Sequence, residues 1–253
     1  MTHPIASFDL SGKVALVTGG SRGLGRQMVL AFAAQGADVV IASRKLEQCE
    51  TVAAEVEALG RRALPIRCHV GRWSDLDAVV EASYGHFGKV DVLVNNAGMS
   101  PLYPSLEDVS EELYDKVMDV NLKGPFRLTA LVGSRMAAGD GGCIINISSV
   151  ASLRPSADVI PYAAAKAGLN AMTEAYSQAW GPKVRVNAIV AGPFLTDISK
   201  AWDLDAFAKR AQAAYSMGRG GEPHEIVGAA LYFASDASSF TTGALLRVDG
   251  GPR

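Results

Sequence analysis

The chain has 253 residues, 49% of them hydrophobic and 20% charged, with a formal net charge of −2. That balance describes one globular domain over residues 1–253 and excludes a disordered chain. No Lys/Arg run supplies the basic face of a nucleic-acid binder, and no apolar stretch approaches the roughly 18 residues of a membrane span. Met1 to Leu10 lacks the charged and apolar regions of a signal peptide, so the expected setting is cytoplasmic and the expected partner a small molecule. Cys49, Cys68 and Cys143 follow no disulfide or metal-ligand spacing. They read as small buried hydrophobes in a reducing compartment, with no metal site.

Short apolar runs alternate with longer amphipathic segments, the α/β pattern of a doubly wound parallel sheet buried on both faces. Seven strands are predicted, at 14–18, 38–42, 63–67, 92–95, 144–147, 185–189 and 244–248. Helices are predicted at 24–35, 45–59, 74–87, 110–138, 162–180 and 223–234. Gly36, Gly60 and Gly181 stand where C-terminal caps belong, and Ser74 and Ser110 where N-caps belong. The first strand runs into the turn Gly19-Gly20-Ser21-Arg22-Gly23-Leu24-Gly25, which opens directly into a helix. A helix N-terminus behind a glycine turn offers backbone N–H groups and a positive dipole end to a pyrophosphate. Two stretches fall outside the alternation: the long loop Ser148 to Pro161, and the apolar excursion Phe194 to Arg219, which reads as a lid.

After the second strand come Ser43 and Arg44. A carboxylate there would bind a ribose 2′-hydroxyl and repel a 2′-phosphate; an uncharged Ser43, with Arg44 and Arg22, permits a guanidinium clamp on that phosphate. Tyr162 and Lys166 stand four apart, on one helical face, so a phenol and an ammonium share a space and the cation is expected to lower the phenol's pKa. Pro161 suits the first turn of that helix. Ser149 ends the fifth strand at the same mouth of the sheet, Asn95-Asn96-Ala97-Gly98 ends the fourth, and Asn121 is a poor helix former inside a long helical segment.

Thr18-Gly19-xxx-Gly23-x-Gly25, Asn95-Asn96-Ala97-Gly98, Asn121, Ser149 and Tyr162-xxx-Lys166, in that order, resemble the classical short-chain dehydrogenase/reductases, and the match runs from about Leu10 onward. The resemblance implies a Rossmann-type fold and hydride transfer between NADP(H) and a carbonyl or secondary alcohol. In it Tyr162 is the general acid/base, Lys166 holds the nicotinamide ribose, Ser149 positions the reacting oxygen and Asn121 keeps a relay water. It also places Gly19, Ser21, Arg22, Gly23, Leu24, Gly25, Ser43, Arg44, His69, Val70, Asn95, Ala97, Gly98, Ile189, Gly192 and Thr196 around the cofactor, with Thr196 and a backbone group near Ile189 at the carboxamide. NAD(H) is the less favoured cofactor, and a homo-oligomer, tetramer or dimer, is implied. The closing Val248-Asp249-Gly250-Gly251 matches the family's usual ending.

Two positions depart from the family pattern. His69-Val70 replaces the acidic residue that binds adenine, and Ala191-Gly192-Pro193 replaces a Pro-Gly pair. Specificity is expected in residues 99–106, 151–160 and 194–217, where Met99, Leu102, Tyr103, Leu153, Arg154, Phe194 and Trp202 offer a mainly apolar wall to a hydrophobic ketone or alcohol. A 3-oxoacyl thioester is the alternative substrate. A carrier protein is disfavoured, because 136–142 and 173–180 hold Asp140 and Glu174 and no Lys or Arg. An NADP(H)-binding redox sensor without turnover is the rival from another class; the intact set Asn121, Ser149, Tyr162 and Lys166 weighs against it.

Overall fold

The computed structural model describes residues 8–196, 199 and 203–253. Seven strands form one parallel sheet in the order β3-β2-β1-β4-β5-β6-β7. They are β1 Val14–Thr18, β2 Asp38–Ser43, β3 Ala63–Arg67, β4 Val92–Asn95, β5 Gly142–Ser149, β6 Val184–Ala191 and β7 Leu245–Val248. The helices are α1 Gly23–Ala34, α2 Leu46–Ala58, α3 Trp73–Phe87, α4 Glu111–Met118, α5 Gly124–Ala138, α6 Ile160–Trp180, α7 Leu204–Ala214 and α8 Val227–Ala234.

The strands read as unbroken apolar runs because both faces are covered. Ala15 and Val17 of β1 pack with Met28 and Phe32 of α1, Val52 of α2 and Phe233 of α8. Their neighbours Val14 and Leu16 pack on the other side with Leu76 and Val79 of α3 and Leu128 and Val132 of α5. Edge strand β3 is less buried and carries Pro65, whose missing N–H an edge position tolerates.

All seven predicted strands are present, and β5 and β6 run further toward the mouth than their apolar cores indicated. The segment 110–138 is helical from Glu111 to Ala138, but not uniformly α-helical. A wide turn over Asp119–Lys123 separates α4 from α5, and a Cβ at Gly124 would overlap the Val70 carbonyl oxygen, so loop and helix meet backbone to backbone there. Ser110 caps α4 by accepting from Leu113 N at 3.1 Å. Ser74 is not a cap: α3 begins one residue earlier, and the Asp75 carboxylate instead accepts from His69 N at 2.9 Å. Gly36 and Gly60 turn left-handed just past their helices, whereas Gly181 ends α6 in extended conformation. The last predicted helix starts as a tight turn, Pro223–Ile226, closed by a Glu222/Glu225 capping box before α8.

In this strand order the connections leave in opposite directions from β1 and β4, opening a crevice at their C-terminal ends. No helix among the described residues is long and apolar enough to cross a membrane.

Candidate active site

At the crevice, the β1 and β4 ends are clipped together. Thr18 Oγ1 donates to Val94 O (3.2 Å) and accepts from Asn96 N (3.0 Å) and Ala97 N (3.1 Å), while Asn96 Nδ2 donates to Thr18 O at 2.8 Å. Gly19 has φ 64°, and a Cβ on it would lie 2.8 Å from Asn96 Nδ2; a Cβ on Gly25 would overlap the Gly19 carbonyl. Both glycines are therefore dictated by the closeness of turn, helix and β4. Thr18 and Asn96 carry this clip, which gives the Thr-Gly and Asn-Asn-Ala-Gly motifs a structural task that the sequence alone does not assign.

Helix α1 begins without a capping side chain and with no acidic residue in its first turn. Its N-terminal N–H groups, beside Ser21, Arg22, Gly23 and Leu24, thus form an anion cradle that no carboxylate of its own first turn fills. Thr196 comes from the far side of the sheet to lie over this turn, its Cβ 3.6 Å from where a Gly23 Cβ would stand. Arg22 and Arg44 are exposed, and neither side chain makes an ion pair or hydrogen bond among the described residues. Ser43 sits at the end of β2 with Oγ 3.1 Å from Cys49 Sγ. The uncapped helix and the glycine turn fit the pyrophosphate of a dinucleotide in charge.

Four expected cofactor residues also make contacts within the protein. Asn95 is buried, and its amide donates to Thr129 Oγ1 and Asn146 Oδ1, both at 2.8 Å, so its side chain ties β4 to β5 and α5. Ile189 lies inside β6, paired with Ile147 on one side and Leu246 on the other, so the sheet ladder uses its backbone. His69 accepts from Gly71 N through Nδ1 at 3.2 Å, which closes its own turn beside buried Val70. Gly192 donates its N–H to Val248 O, and a Cβ there would lie 2.5 Å from Asp249 Cα, so glycine is set by the β6–β7 junction.

Around the mouth, β5, α6 and the wide turn after α4 bring Ser149, Tyr162, Lys166 and Asn121 to one place. Pro161 is in the first turn of α6. Lys166 Nζ is buried, donates to Ile147 O at 2.8 Å and lies 5.7 Å from the Tyr162 ring centroid. Burial lowers its pKa to about 8. The Tyr162 phenol is raised by burial and pulled back in part by the Ser149 hydroxyl. The expected lowering by Lys166 is not what this geometry gives: taking the phenol out of water outweighs an ammonium turned toward the strand carbonyl.

Asn121 Nδ2 donates to Met99 O (2.8 Å) and Val117 O (2.9 Å), and its Oδ1 accepts from Met99 N (3.2 Å). The side chain thus grips the loop after β4 from inside the wide turn. Gly98 separates the two polar centres, since a Cβ on it would lie 3.0 Å from Asn121 Oδ1 and 3.7 Å from Lys166 Nζ.

The wall of the mouth is apolar. Pro101, Tyr103, Leu113, Val117, Val159 and Pro161 line a small cleft beside Tyr162, and Leu102, Leu153 and Met217 stand exposed nearby in sequence segments that border it. Tyr103 Oη donates to Ala157 O at 2.6 Å and accepts from Ile160 N at 3.0 Å, strapping that loop to the start of α6. Phe194 is not part of the wall: it is buried against Gly221 in the core. Arg154 turns away to Pro252 O and Arg253 O, at 3.1 and 3.2 Å. Trp202 lies outside the described residues.

Known proteins agree with this geometry. Residues 19–252 match the family described as enoyl-(acyl carrier protein) reductase. The 2-dehydro-3-deoxy-D-gluconate 5-dehydrogenase of Pseudoalteromonas atlantica is 38% identical over 250 residues, 98% of each chain. The structure of a 7α-hydroxysteroid dehydrogenase with NADH and a 7-oxo bile acid conjugate superposes with a TM-score of 0.92 at 31% identity, covering 97% of this chain and 96% of that one. That of a putative NAD(P)-dependent gluconate 5-dehydrogenase from Beutenbergia cavernae with bound NADP gives 0.89 at 34% identity, covering 96% and 97%. The chain belongs to the short-chain dehydrogenase/reductase family. It is a pyridine-nucleotide-dependent oxidoreductase of alcohol and carbonyl groups.

Proposed function

We propose that this oxidoreductase prefers NADP(H) and reduces a fairly hydrophobic ketone, or oxidises the matching secondary alcohol, with Tyr162 as general acid/base. The observation that carries the reading is the convergence of Ser149, Tyr162, Lys166 and Asn121 on the mouth, at the carboxyl ends of the strands. The cofactor supplies or accepts the hydride when bound. Ser149 Oγ accepts from Ala151 N at 3.2 Å and hydrogen-bonds the Tyr162 phenol, so its own proton faces the place where the substrate oxygen would lie. Tyr162 gives its proton to that oxygen in reduction and takes it back in oxidation. Lys166 would hold the nicotinamide ribose, and a water kept by Asn121 would link the lysine to solvent so that protons are replaced.

The NADP(H) preference rests on Arg22 and Arg44, whose side chains have no partner among the described residues, and on the absence of a carboxylate at Ser43. Gly19, Ser21, Gly23, Leu24, Gly25, Ala97, Gly98, Gly192 and Thr196 would hold the rest of the dinucleotide. Segment 194–219, which includes α7 and is fastened at its end by Ser216 N to Gly251 O and Met217 N to Gly250 O, would serve as the substrate lid of a single domain. Fully exposed Phe240, with Trp73 and Phe126 on another face, supports a homodimer or homotetramer; sedimentation of a monomer alone would refute it. Three free, buried cysteines suit a cytoplasmic setting.

The test is NADPH consumption with a panel running from steroid-like ketones to sugar-acid carbonyls and 3-oxoacyl thioesters. Turnover of apolar ketones supports the reading. Turnover confined to polar sugar acids would overturn the substrate class, and none at all would favour the redox-sensor alternative.

A further inference from the structure

Helix α6 carries a third polar residue on the face of Tyr162 and Lys166. Asn170 follows Lys166 by four residues, is buried, and donates through Nδ2 to Ser152 Oγ at 2.8 Å. Ser152 Oγ donates its one proton to the carbonyl oxygen of Ser149 at 2.6 Å. The proton inventory fixes the direction of this chain: with its hydrogen spent on Ser149 O, Ser152 can only accept from Asn170, so the amide must present its NH2. Asn170 Oδ1 is consequently one of two buried side-chain polar atoms without a partner among the described residues. A buried orphan acceptor costs about 1–3 kcal/mol, a penalty that leucine, of similar volume, would avoid. Packing alone therefore does not account for the amide.

What the chain of bonds reaches is the turn that aims Ser149. Residues Val150–Ser152 form one tight turn directly after β5, and Ser149 is held at both ends of its own residue. Its carbonyl accepts from Ser152 Oγ, and its Oγ accepts from Ala151 N. The second bond fills one lone pair of the hydroxyl and leaves its proton for the Tyr162 phenol, which that hydroxyl pulls toward ionisation. Without the first, the turn that brings Ala151 N over Ser149 Oγ loses its anchor to α6.

We propose that Asn170 and Ser152 are a positioning couple for Ser149, transmitting the placement of α6, and so of Tyr162, to the hydroxyl that works with it. The couple rests on the reading of Ser149 and Tyr162 as partners. It touches neither substrate nor cofactor and acts only through Ser149.

The full-length chain is made as Ser152→Ala, Asn170→Leu and Ser152→Thr, each also in a Ser149→Ala background. In the wild-type background Ser152→Ala and Asn170→Leu lower kcat about tenfold with KM for NADPH unchanged. Ser152→Thr, which keeps the hydroxyl, stays within about twofold. In the Ser149→Ala background the same changes cost nothing further. Asn170→Leu melts at or above the wild-type temperature, since it removes the orphan acceptor; a role in packing alone would lower it. Ultraviolet difference titration, wild type against Tyr162→Phe, gives a readout that needs no substrate: the tyrosinate transition moves upward in Ser152→Ala and Asn170→Leu as it does in Ser149→Ala. An unmoved transition, unchanged kcat, or losses that multiply with Ser149→Ala overturn the couple. Absence of wild-type turnover with any alcohol or carbonyl overturns the acid–base reading instead, and the titration still decides the couple.

Discussion

The two halves of the site are built on opposite principles. In the dinucleotide half, polar groups are left unmet by the described residues: α1 starts without a capping side chain, and the Arg22 and Arg44 side chains have no partners there. In the catalytic half the protein meets nearly everything. Lys166 is tied to Ile147 O, both ends of the Asn121 amide to Met99, and Asn170 through Ser152 to Ser149. The first half is completed by a ligand, which brings the charge. The second is arranged before any ligand arrives, as chemistry that depends on placement within a fraction of an ångström requires.

The sharpest way to separate the halves is Tyr162→Phe. Removing the acid should lower kcat by a factor on the order of 10²–10⁴ while NADPH binding, followed by fluorescence titration, stays within about twofold. Loss of both together would mean that the halves are not independent.

Next comes Lys166, whose burial carries a stability cost. Its pKa falls from 10.5 unfolded to about 8 folded. Below pH 8 the folded state holds a charge it disfavours, and the penalty is complete; it fades as pH rises from 8 to 10.5, where the unfolded chain still binds the proton and the folded one does not. By linkage the penalty is about 3 kcal/mol at neutral pH. Lys166→Met should therefore be inactive yet more stable by about 2 kcal/mol, after allowing about 1 kcal/mol for the lost bond to Ile147 O. Urea midpoints across pH 7 to 10.5 check it: the advantage should shrink as pH rises, and a constant difference would refute the cause.

The dinucleotide half breaks more gently, because its groups are solvated until the ligand binds. Arg44→Ala removes one charge-assisted contact, worth about 1.5–3 kcal/mol, so KM for NADPH should rise about ten- to a hundredfold while that for NADH hardly moves. Ser43→Asp with Arg44→Ile should reverse the preference. An unchanged ratio of the two kcat/KM values would remove the clamp.

The same contrast explains what the sequence disclosed. The dinucleotide half is local: a strand, a glycine turn and a helix start are consecutive residues, and Gly19, Gly23 and Gly25 announce it. Tyr162 and Lys166 are visible for the same reason, being one helical turn apart. Partnerships across the fold are not. Asn95 joins Thr129 and Asn146, and Ser152 joins Asn170, over separations that no periodicity encodes, although the spacing of four from Lys166 to Asn170 was a signal available to be read. The raised phenol of Tyr162 was illegible too, because burial, unlike a neighbouring charge, cannot be counted along a chain.

Tyr103 gives the smallest of the effects and tests whether the catalytic half ends at α6. Its hydroxyl bonds to Ala157 O and Ile160 N bridge the loop after β4 and the chain entering α6. Both lie near solvent, so water replaces much of what is lost, and Tyr103→Phe should cost about 0.5–1.5 kcal/mol. The phenyl ring keeps its apolar side of the cleft, and Asn121 still grips Met99 at the other end of the loop. The loss should therefore appear as a several-fold rise in KM for the ketone, with kcat and KM for NADPH unchanged. A fall in kcat of similar size would place Tyr103 within the machinery that orients Tyr162, and the prearranged half would then extend into the substrate wall.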